Sequence, residues 1–260
     1  TLRGVSKWYG YIDQPERVPE FMRRAYTMLR TGRPGPVVLG IPNAAATYDE
    51  TADPYISPKG WKSLPDPDDV KAAVAAINAA KKPLLFVGEG VLYANATDEL
   101  LAFAEKANLP VVTTLKAKGA FPENHPLSVG VRGDHVVSYM NEADVFFAIG
   151  ASLSPGRFGH GVPGAVDKTI IQCNIDEFDI NRLYPTSSAI VGDARETLLA
   201  LVAELGETPS SRADVSADIK AATDTALAGI REVMVSDEKP INPYRVYSDL
   251  MKTLDREASF

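Results

Sequence analysis

Five short apolar runs between residues 82 and 193 constrain the fold more than any other part of the sequence. Each run ends in a small or acidic residue, and helical patterns separate the runs. Apolar runs that alternate with helices are typical of parallel strands covered on both faces. The sequence therefore predicts an α/β fold with a parallel sheet flanked by helices, and ligands bound beyond the carboxyl ends of the strands. The runs are 83–87, 109–112, 144–149, 169–175 and 189–191.

Helical periodicity accounts for much of the remaining chain. Apolar stripes with suitable start and stop residues predict a series of helices, and a sixth apolar run at 37–42 predicts one more strand. Residues 1–14 are interpreted as an irregular segment or a strand. The predicted helices are 15–30, 66–80, 97–108, 135–141, 193–205, 217–235 and a last one that starts at 242.

The composition excludes several classes of protein. The net charge is -7 and no basic stripe is present, so nucleic acid is not an expected partner. No apolar run approaches the roughly 18 residues of a membrane span, and no signal peptide opens the chain. We therefore expect no membrane partner and a cytoplasmic location. The single cysteine, Cys173, lies in a predicted strand, where we expect a buried and inert thiol.

Residues 31–42, with the sequence Thr-Gly-Arg-Pro-Gly-Pro-Val-Val-Leu-Gly-Ile-Pro, form the most specific motif in the chain. This segment resembles the end of the pyrimidine-binding domain in thiamine-diphosphate enzymes of the acetolactate synthase type. Three later segments resemble the middle domain of the same enzymes: 113–127, Asn-Ile-Asp at 174–176 and Val-Gly-Asp-Ala at 191–194. The resemblance covers most of residues 1–205. It implies that the predicted sheet is the Rossmann-like middle domain of such an enzyme.

The resemblance also implies that the chain contains parts of three domains. Residues 1–45 would be the C-terminal tail of the pyrimidine-binding domain, and residues 46–65 a linker. Residues 66–206 would be the middle nucleotide-fold domain. Residues 207–240 would form a linker and a helix, and residues 241–260 the start of the diphosphate-binding domain. We expect the chain to be a central fragment of a longer polypeptide, whose missing domains are its partners.

The function that the resemblance implies belongs to the parent enzyme. Such an enzyme uses thiamine diphosphate and Mg²⁺ to decarboxylate a 2-oxo acid or to cleave a 2-hydroxyacyl compound, usually as a homodimer or homotetramer. The glutamate that activates thiamine and the Gly-Asp-Gly motif that holds Mg²⁺ are not in this sequence. We therefore expect no catalytic residue and no metal site in the chain, which would serve as a scaffold. Two alternatives stay open: a free-standing dinucleotide-binding module and a non-catalytic subunit.

Two kinds of residue at the predicted strand ends could contact a nucleotide. The turn Gly88-Glu89-Gly90 lies between a strand and a helix, where backbone N–H groups can bind a phosphate. A structural turn explains it equally well, since Tyr93 replaces a third glycine and Glu89 would repel a pyrophosphate. Asp176 could accept hydrogen bonds from ribose hydroxyls or cap the next helix. Asp193 has the same two interpretations.

For the middle domain the resemblance leaves the ligand open: in related enzymes this domain binds FAD, binds ADP or CoA-related groups, or stays empty. Flavin-binding members usually carry arginine where this chain has Ser152, which weakens the case for FAD. Arg33 could reach a phosphate, although a structural ion pair explains it better. The candidate cofactor contacts are Gly88, Gly90, Thr113, Thr114, Gly133, Gly150, Asp176 and Asp193.

Overall fold

A six-stranded parallel sheet occupies the centre of the computed structural model, which describes residues 2–43, 47–155, 161–206 and 213–255. The strands are β1 (Trp8–Tyr11), β2 (Val37–Gly40), β3 (Pro83–Val87), β4 (Val111–Thr113), β5 (Ser128–Gly130), β6 (Val145–Ile149), β7 (Thr169–Asn174) and β8 (Ser188–Val191). The central sheet has the order β5-β4-β3-β6-β7-β8, and every neighbouring pair is parallel. The direction of strand addition therefore reverses between β3 and β6.

Several helices begin where the sequence offers a capping side chain. Asp66, Asp193 and Asn242 each accept a hydrogen bond from a backbone N–H group in the first turn that follows. Losing such a cap costs about 1 kcal/mol. No helix in the described ranges combines the length and the apolar character that crossing a bilayer requires. The helices are α1 (Val18–Arg30), α2 (Pro67–Ala79), α3 (Gly90–Tyr93), α4 (Thr97–Ala107), α5 (Asp134–Glu142), α6 (Ala194–Glu204), α7 (Ser216–Val233) and α8 (Pro243–Thr253).

Both faces of the central sheet are buried. Every residue of β3 and β6 is inaccessible to solvent or nearly so. Leu85 and Phe147 point into a core shared with α2, α4 and α6. Leu84 and Phe146, their neighbours in the strands, point into a second core under α5. Burial on both faces requires apolar residues at successive positions, and it confirms the predicted parallel sheet flanked by helices.

The sheet has one strand more than the sequence predicts. β5 pairs with β4 at one edge, within a segment interpreted as a crossover without a strand. Of its three residues only Val129 is apolar, and that side chain is buried. A strand of this length is too short to show a periodicity.

The backbones that leave β3 and β6 touch each other. The Gly88 N–H donates to the carbonyl oxygen of Ile149 at 2.9 Å, and the Gly90 N–H to that of Gly150 at 3.0 Å. A Cβ atom on Gly88 would lie 2.2 Å from the Gly150 carbonyl oxygen. Only glycine fits at this position, because the neighbouring atom belongs to the backbone and cannot move aside.

A smaller unit precedes the central sheet. β1 and β2 form a two-stranded parallel sheet, and α1 packs against both strands. The Lys7 Nζ donates to the carbonyl oxygens of Met28, Thr31 and Arg33 at 2.6, 2.6 and 2.9 Å. These bonds satisfy carbonyls at the end of α1 and hold the turn that follows it. Residues 8–11 are thus a strand, one of the two alternatives that the sequence left open.

The segment between the smaller unit and α2 follows the carboxyl edge of the central sheet. Residues 48–66 form turns but no helix or strand. The Arg30 Nη1 donates to the Pro58 carbonyl at 2.5 Å, and the Asp193 N–H donates to the Ser63 carbonyl at 2.9 Å. The segment therefore connects the end of α1 with the end of β8. The division of the chain into domains stays a prediction.

We expect Gly88→Ala to lower the free energy of unfolding by about 1–3 kcal/mol, because the added methyl group meets immobile backbone. Urea unfolding followed by circular dichroism measures the change. Gly229→Ala is the matched control, since an added Cβ meets nothing within 4 Å there. This control lies inside α7 and should raise stability by about 0.5–1 kcal/mol. Unchanged stability of Gly88→Ala would contradict the contact.

Cys173 should react with thiol reagents only after unfolding. The side chain is fully buried in β7, and burial raises the pKa of the thiol to about 12. At pH 8 only about one molecule in ten thousand therefore carries the reactive thiolate. Absorbance after addition of a disulfide reagent, with and without denaturant, tests this. The control is Ala228→Cys, which places a thiol on the exposed side of α7 and should react at once. Fast reaction of folded Cys173 would show that the core opens.

Candidate functional site

The reversal of strand order between β3 and β6 marks the position at which open α/β sheets bind ligands. Counted along the chain, the central strands follow the order 3-2-1-4-5-6 of dinucleotide-binding sheets. Two neighbouring cavities open at this carboxyl edge, cavity A of about 660 Å³ and cavity B of about 360 Å³. Both volumes lie within the range of about 300–1,000 Å³ for small-molecule sites. Glu89, Gly150 and Ser152 line both cavities.

Cavity A lies between the turn after α1, the linker and the ends of β6, β7 and β8. Its cations already have partners within the chain. Arg195, for example, donates to Glu99 at 2.7 Å, and Arg30 donates to a linker carbonyl. A phosphate in this cavity would compete with these partners. The charged residues that line cavity A are Arg30, Arg33, Lys62, Arg195, Glu89, Asp179 and Asp193.

Asp176 follows β7 and uses both of its carboxylate oxygens. Oδ1 accepts a hydrogen bond from the Phe178 N–H at 3.1 Å, which caps a short 3-10 turn. Oδ2 accepts one from the Arg33 Nη1, also at 3.1 Å. The hydrogen bond to Asp176 raises the pKa of the Arg33 guanidinium. The capping interpretation of Asp176 and the ion-pair interpretation of Arg33 therefore both describe the structure.

Asp179 is a charged residue of this site that the sequence analysis missed. Its side chain is only 4% exposed, and it lies 2.8 Å from Arg33 and 2.9 Å from Arg182. The Gln172 Nε2 donates to its backbone carbonyl at 3.1 Å. A buried carboxylate needs such partners, because an unpaired charge is costly to bury. The three-residue spacing of Asp176, Asp179 and Arg182 was the signal that could have indicated this cluster.

Asp193 caps α6 and also lines cavity A. Its Oδ1 accepts hydrogen bonds from the N–H groups of Arg195 and Glu196 at 3.0 and 3.3 Å. The Lys62 Nζ, from the linker, lies 3.3 Å from the same oxygen. The structure therefore shows a structural role for Asp193, and a contact with a ligand stays a prediction.

The end of β4 contributes to cavity B. Thr114 lines this cavity, and its N–H donates to the Val87 carbonyl at 2.8 Å. Thr113 is buried in β4 and, among the residues described, lines neither cavity. Glu89 and Lys116, both in the wall of cavity B, form an ion pair at 3.2 Å. This lysine reduces the repulsion that Glu89 alone would exert on an anionic ligand.

Cavity B also contains a residue with a strained backbone. Leu153 has φ of 53° and is buried, although left-handed geometry is unfavourable for a bulky side chain. Strain of this kind costs about 1–3 kcal/mol and is concentrated at functional sites. The strain supports cavity B as a candidate site.

Gly133 lines neither cavity A nor cavity B. It precedes α5 with φ of 127° and lines a separate groove of about 1180 Å³. Pro83 and Leu84, at the amino end of β3, line the same groove. Val131, two positions earlier, lines cavity B, and a contact of Gly133 with a ligand stays a prediction.

The residues of this chain do not fit thiamine diphosphate with Mg²⁺. Within the described ranges, no three His, Cys, Asp or Glu side chains come close enough to hold a metal ion together. The Gly-Asp-Gly motif that holds Mg²⁺ in thiamine enzymes is not in the sequence. The carboxyl edge can offer cavities, carboxylates and hydroxyls to a nucleotide, and no step of thiamine chemistry is assigned to it.

Comparison with known sequences identifies relatives. The family model "thiamine pyrophosphate enzyme, central domain" matches residues 70–201, half of the chain. The acetolactate synthase large subunit of Corynebacterium glutamicum is 37% identical over 220 residues, which are 82% of this chain and 35% of that protein. The probable acetolactate synthase large subunit of Methanocaldococcus jannaschii is 34% identical over 269 residues, 96% of this chain and 44% of that protein. The chain thus spans less than half the length of these relatives.

Solved structures agree with this assignment. A Mycobacterium smegmatis protein described as thiamin diphosphate-dependent superposes with a TM-score of 0.66 at 28% identity, over 80% of this chain and 41% of that one. Benzoylformate decarboxylase from Polynucleobacter necessarius has a TM-score of 0.70 at 23% identity, over 97% of this chain and 46% of that one, and shows the fold alone. The match over residues 70–201 and the order of the strands show that the chain belongs to the thiamine pyrophosphate enzyme family. Its six-stranded sheet is the central domain of that family.

Proposed function

We propose that this chain is the central part of an enzyme of the acetolactate synthase type. The whole polypeptide would decarboxylate a 2-oxo acid, or cleave a 2-hydroxyacyl compound, and then release or transfer the remaining fragment. Thiamine diphosphate with Mg²⁺, held by other parts of the polypeptide, would supply the carbanion chemistry. The observation that carries the proposal is the 34% identity to the M. jannaschii relative over 96% of the chain. A match of that extent includes the smaller unit and α8 as well as the central domain.

The part of this chain in such an enzyme is to hold neighbouring domains in place. Arg33 ties the smaller unit to the central sheet through Asp176 and Asp179. On the other side, Arg245 in α8 donates to Asp237 at 2.7 Å and to the Ser236 carbonyl at 3.1 Å, beyond the end of α7. These contacts support a scaffold role. A homodimer or homotetramer of the whole enzyme is part of the same proposal.

Cavities A and B are the proposed site of an adenine nucleotide. ADP, FAD and CoA share an adenosine diphosphate portion, and this portion is the ligand that we assign. The Asp176 Oδ2 would accept hydrogen bonds from ribose hydroxyls, and Thr114, Gly150 and Asp193 would lie against the ligand. Gly88 and Gly90 would contribute space rather than donors, since their N–H groups already bind carbonyls of the neighbouring strand end.

The full-length polypeptide that contains these residues should convert pyruvate to acetolactate and CO₂ when thiamine diphosphate and Mg²⁺ are added. Colorimetric detection of acetoin, formed from acetolactate in acid, measures this. The control is the same reaction without thiamine diphosphate. Consumption of benzoylformate but not pyruvate would point to a decarboxylase of the same family. An absence of thiamine-dependent turnover with either 2-oxo acid would contradict the proposal.

Calorimetric titration of the chain with ADP should show saturable binding that Asp176→Ala weakens about tenfold, because a hydrogen bond to a charged group contributes about 1.5–3 kcal/mol before competing contacts are subtracted. Asp167→Ala is the matched control: it removes an exposed carboxylate just before the opposite end of β7. ADP, FAD and CoA are titrated in turn. If none of the three ligands gives a heat of binding, the proposed nucleotide site is wrong and only the scaffold role remains.

A further inference from the structure

The guanidinium of Arg33 covers the carboxylate oxygen to which we assign ribose binding. Arg33 and Asp179 line cavity A, whereas Asp176, among the residues described, does not. The Arg33 Nη1 lies 3.1 Å from the Asp176 Oδ2. Arg33 therefore borders the cavity, whereas Asp176, whose side chain is 20% exposed, does not. A ribose hydroxyl that donates to this oxygen from cavity A would compete with the guanidinium for it.

The contacts of Arg33 allow it to move without leaving a buried charge alone. The buried Asp179 binds Arg33 at 2.8 Å, but it also binds Arg182 at 2.9 Å. If Arg33 leaves, Asp179 keeps a cationic partner, so the large penalty for an unpaired buried carboxylate does not arise. Asp176 would exchange the guanidinium for ribose hydroxyls and keep its capping bond to the Phe178 N–H.

The side chain of Arg33 also has room for this movement. It is 53% exposed, and it borders a cavity of about 660 Å³. Its backbone, in contrast, is fixed, because the Lys7 Nζ holds the Arg33 carbonyl at 2.9 Å. A change of side-chain rotamer is therefore enough to open the site, and the turn does not have to unfold.

We propose that Arg33 gates the nucleotide site: it holds Asp176 while the site is empty and releases this carboxylate when a ribose binds. The inference rests on the nucleotide site proposed above. Since Arg33 belongs to the smaller unit and Asp176 to the central domain, binding of the nucleotide weakens the attachment between them. Thermodynamic reciprocity requires that weaker attachment, in turn, strengthens nucleotide binding by the same factor.

Calorimetric titration of the chain with ADP tests the gate. Arg33→Met should bind ADP about fivefold more tightly than the unchanged chain, because a partly exposed ion pair contributes up to about 1 kcal/mol. Arg17→Met is the matched control and should bind ADP unchanged. Arg17 is also an arginine of the smaller unit with two carboxylate partners, Asp13 and Glu20 at 2.8 and 2.9 Å, but both partners lie within that unit. Circular dichroism confirms that each variant is folded.

The outcomes separate the gate from the site. If Arg33→Met binds ADP as tightly as the unchanged chain does, the gate is wrong and the site remains. If Arg33→Met binds ADP more weakly, Arg33 is a ligand contact and not a gate. No binding of ADP by any of the three proteins would overturn both the site and the gate.

Discussion

The contact between the backbones that follow β3 and β6 determines the shape of the carboxyl edge. Gly88 and Gly150 approach so closely that no side chain fits between the two central strands. Their amide groups bind carbonyls of the adjoining strand end rather than pointing into the crevice. The N–H groups of these glycines are therefore not available to a ligand, which side chains from the surroundings can contact. Asp176, Thr114 and the cations of cavity A are such side chains.

The same edge is where the other parts of the chain attach to the central domain. Lys62, in the linker, forms an ion pair with Asp193. Arg33, in the turn after α1, forms ion pairs with Asp176 and Asp179. Most charges at the edge are therefore compensated by partners from another unit. Because these partners are the groups that a phosphate or ribose would use, attachment of the units and binding of a ligand draw on the same carboxylates and cations.

Local patterns predicted the features that depend on neighbours in sequence. The continuous apolar runs indicated β3, β6 and β7, since burial on both faces leaves no alternation. Capping was one of the two interpretations of Asp193, because a short acidic side chain before an apolar stripe can accept hydrogen bonds from the first turn of a helix. β5 was not predicted, because its three residues, Ser128–Gly130, are too few to show a periodicity.

Contacts between distant residues were beyond the reach of these patterns. Arg33 and Asp176 are 143 positions apart, and nothing in either segment indicates the other. For Asp176 the sequence could therefore supply two interpretations but no choice between them. Gly133 was assigned to the site by resemblance alone, and its contact with a ligand stays a prediction, since it lines a different groove. The fold follows from burial, whereas the site depends on pairings that only the folded chain creates.

Glu89 illustrates how such a pairing changes the chemistry of a site. Considered alone, it argues against any phosphate near the Gly88-Glu89-Gly90 turn. With Lys116 at 3.2 Å, the mouth of cavity B is close to neutral, and its wall includes Phe86 and Leu153. Cavity A, in contrast, has four cations against three carboxylates. An adenosine diphosphate with its ribose at Asp176 would therefore place its uncharged adenine more favourably toward cavity B and its pyrophosphate toward cavity A, whose cations outnumber its carboxylates.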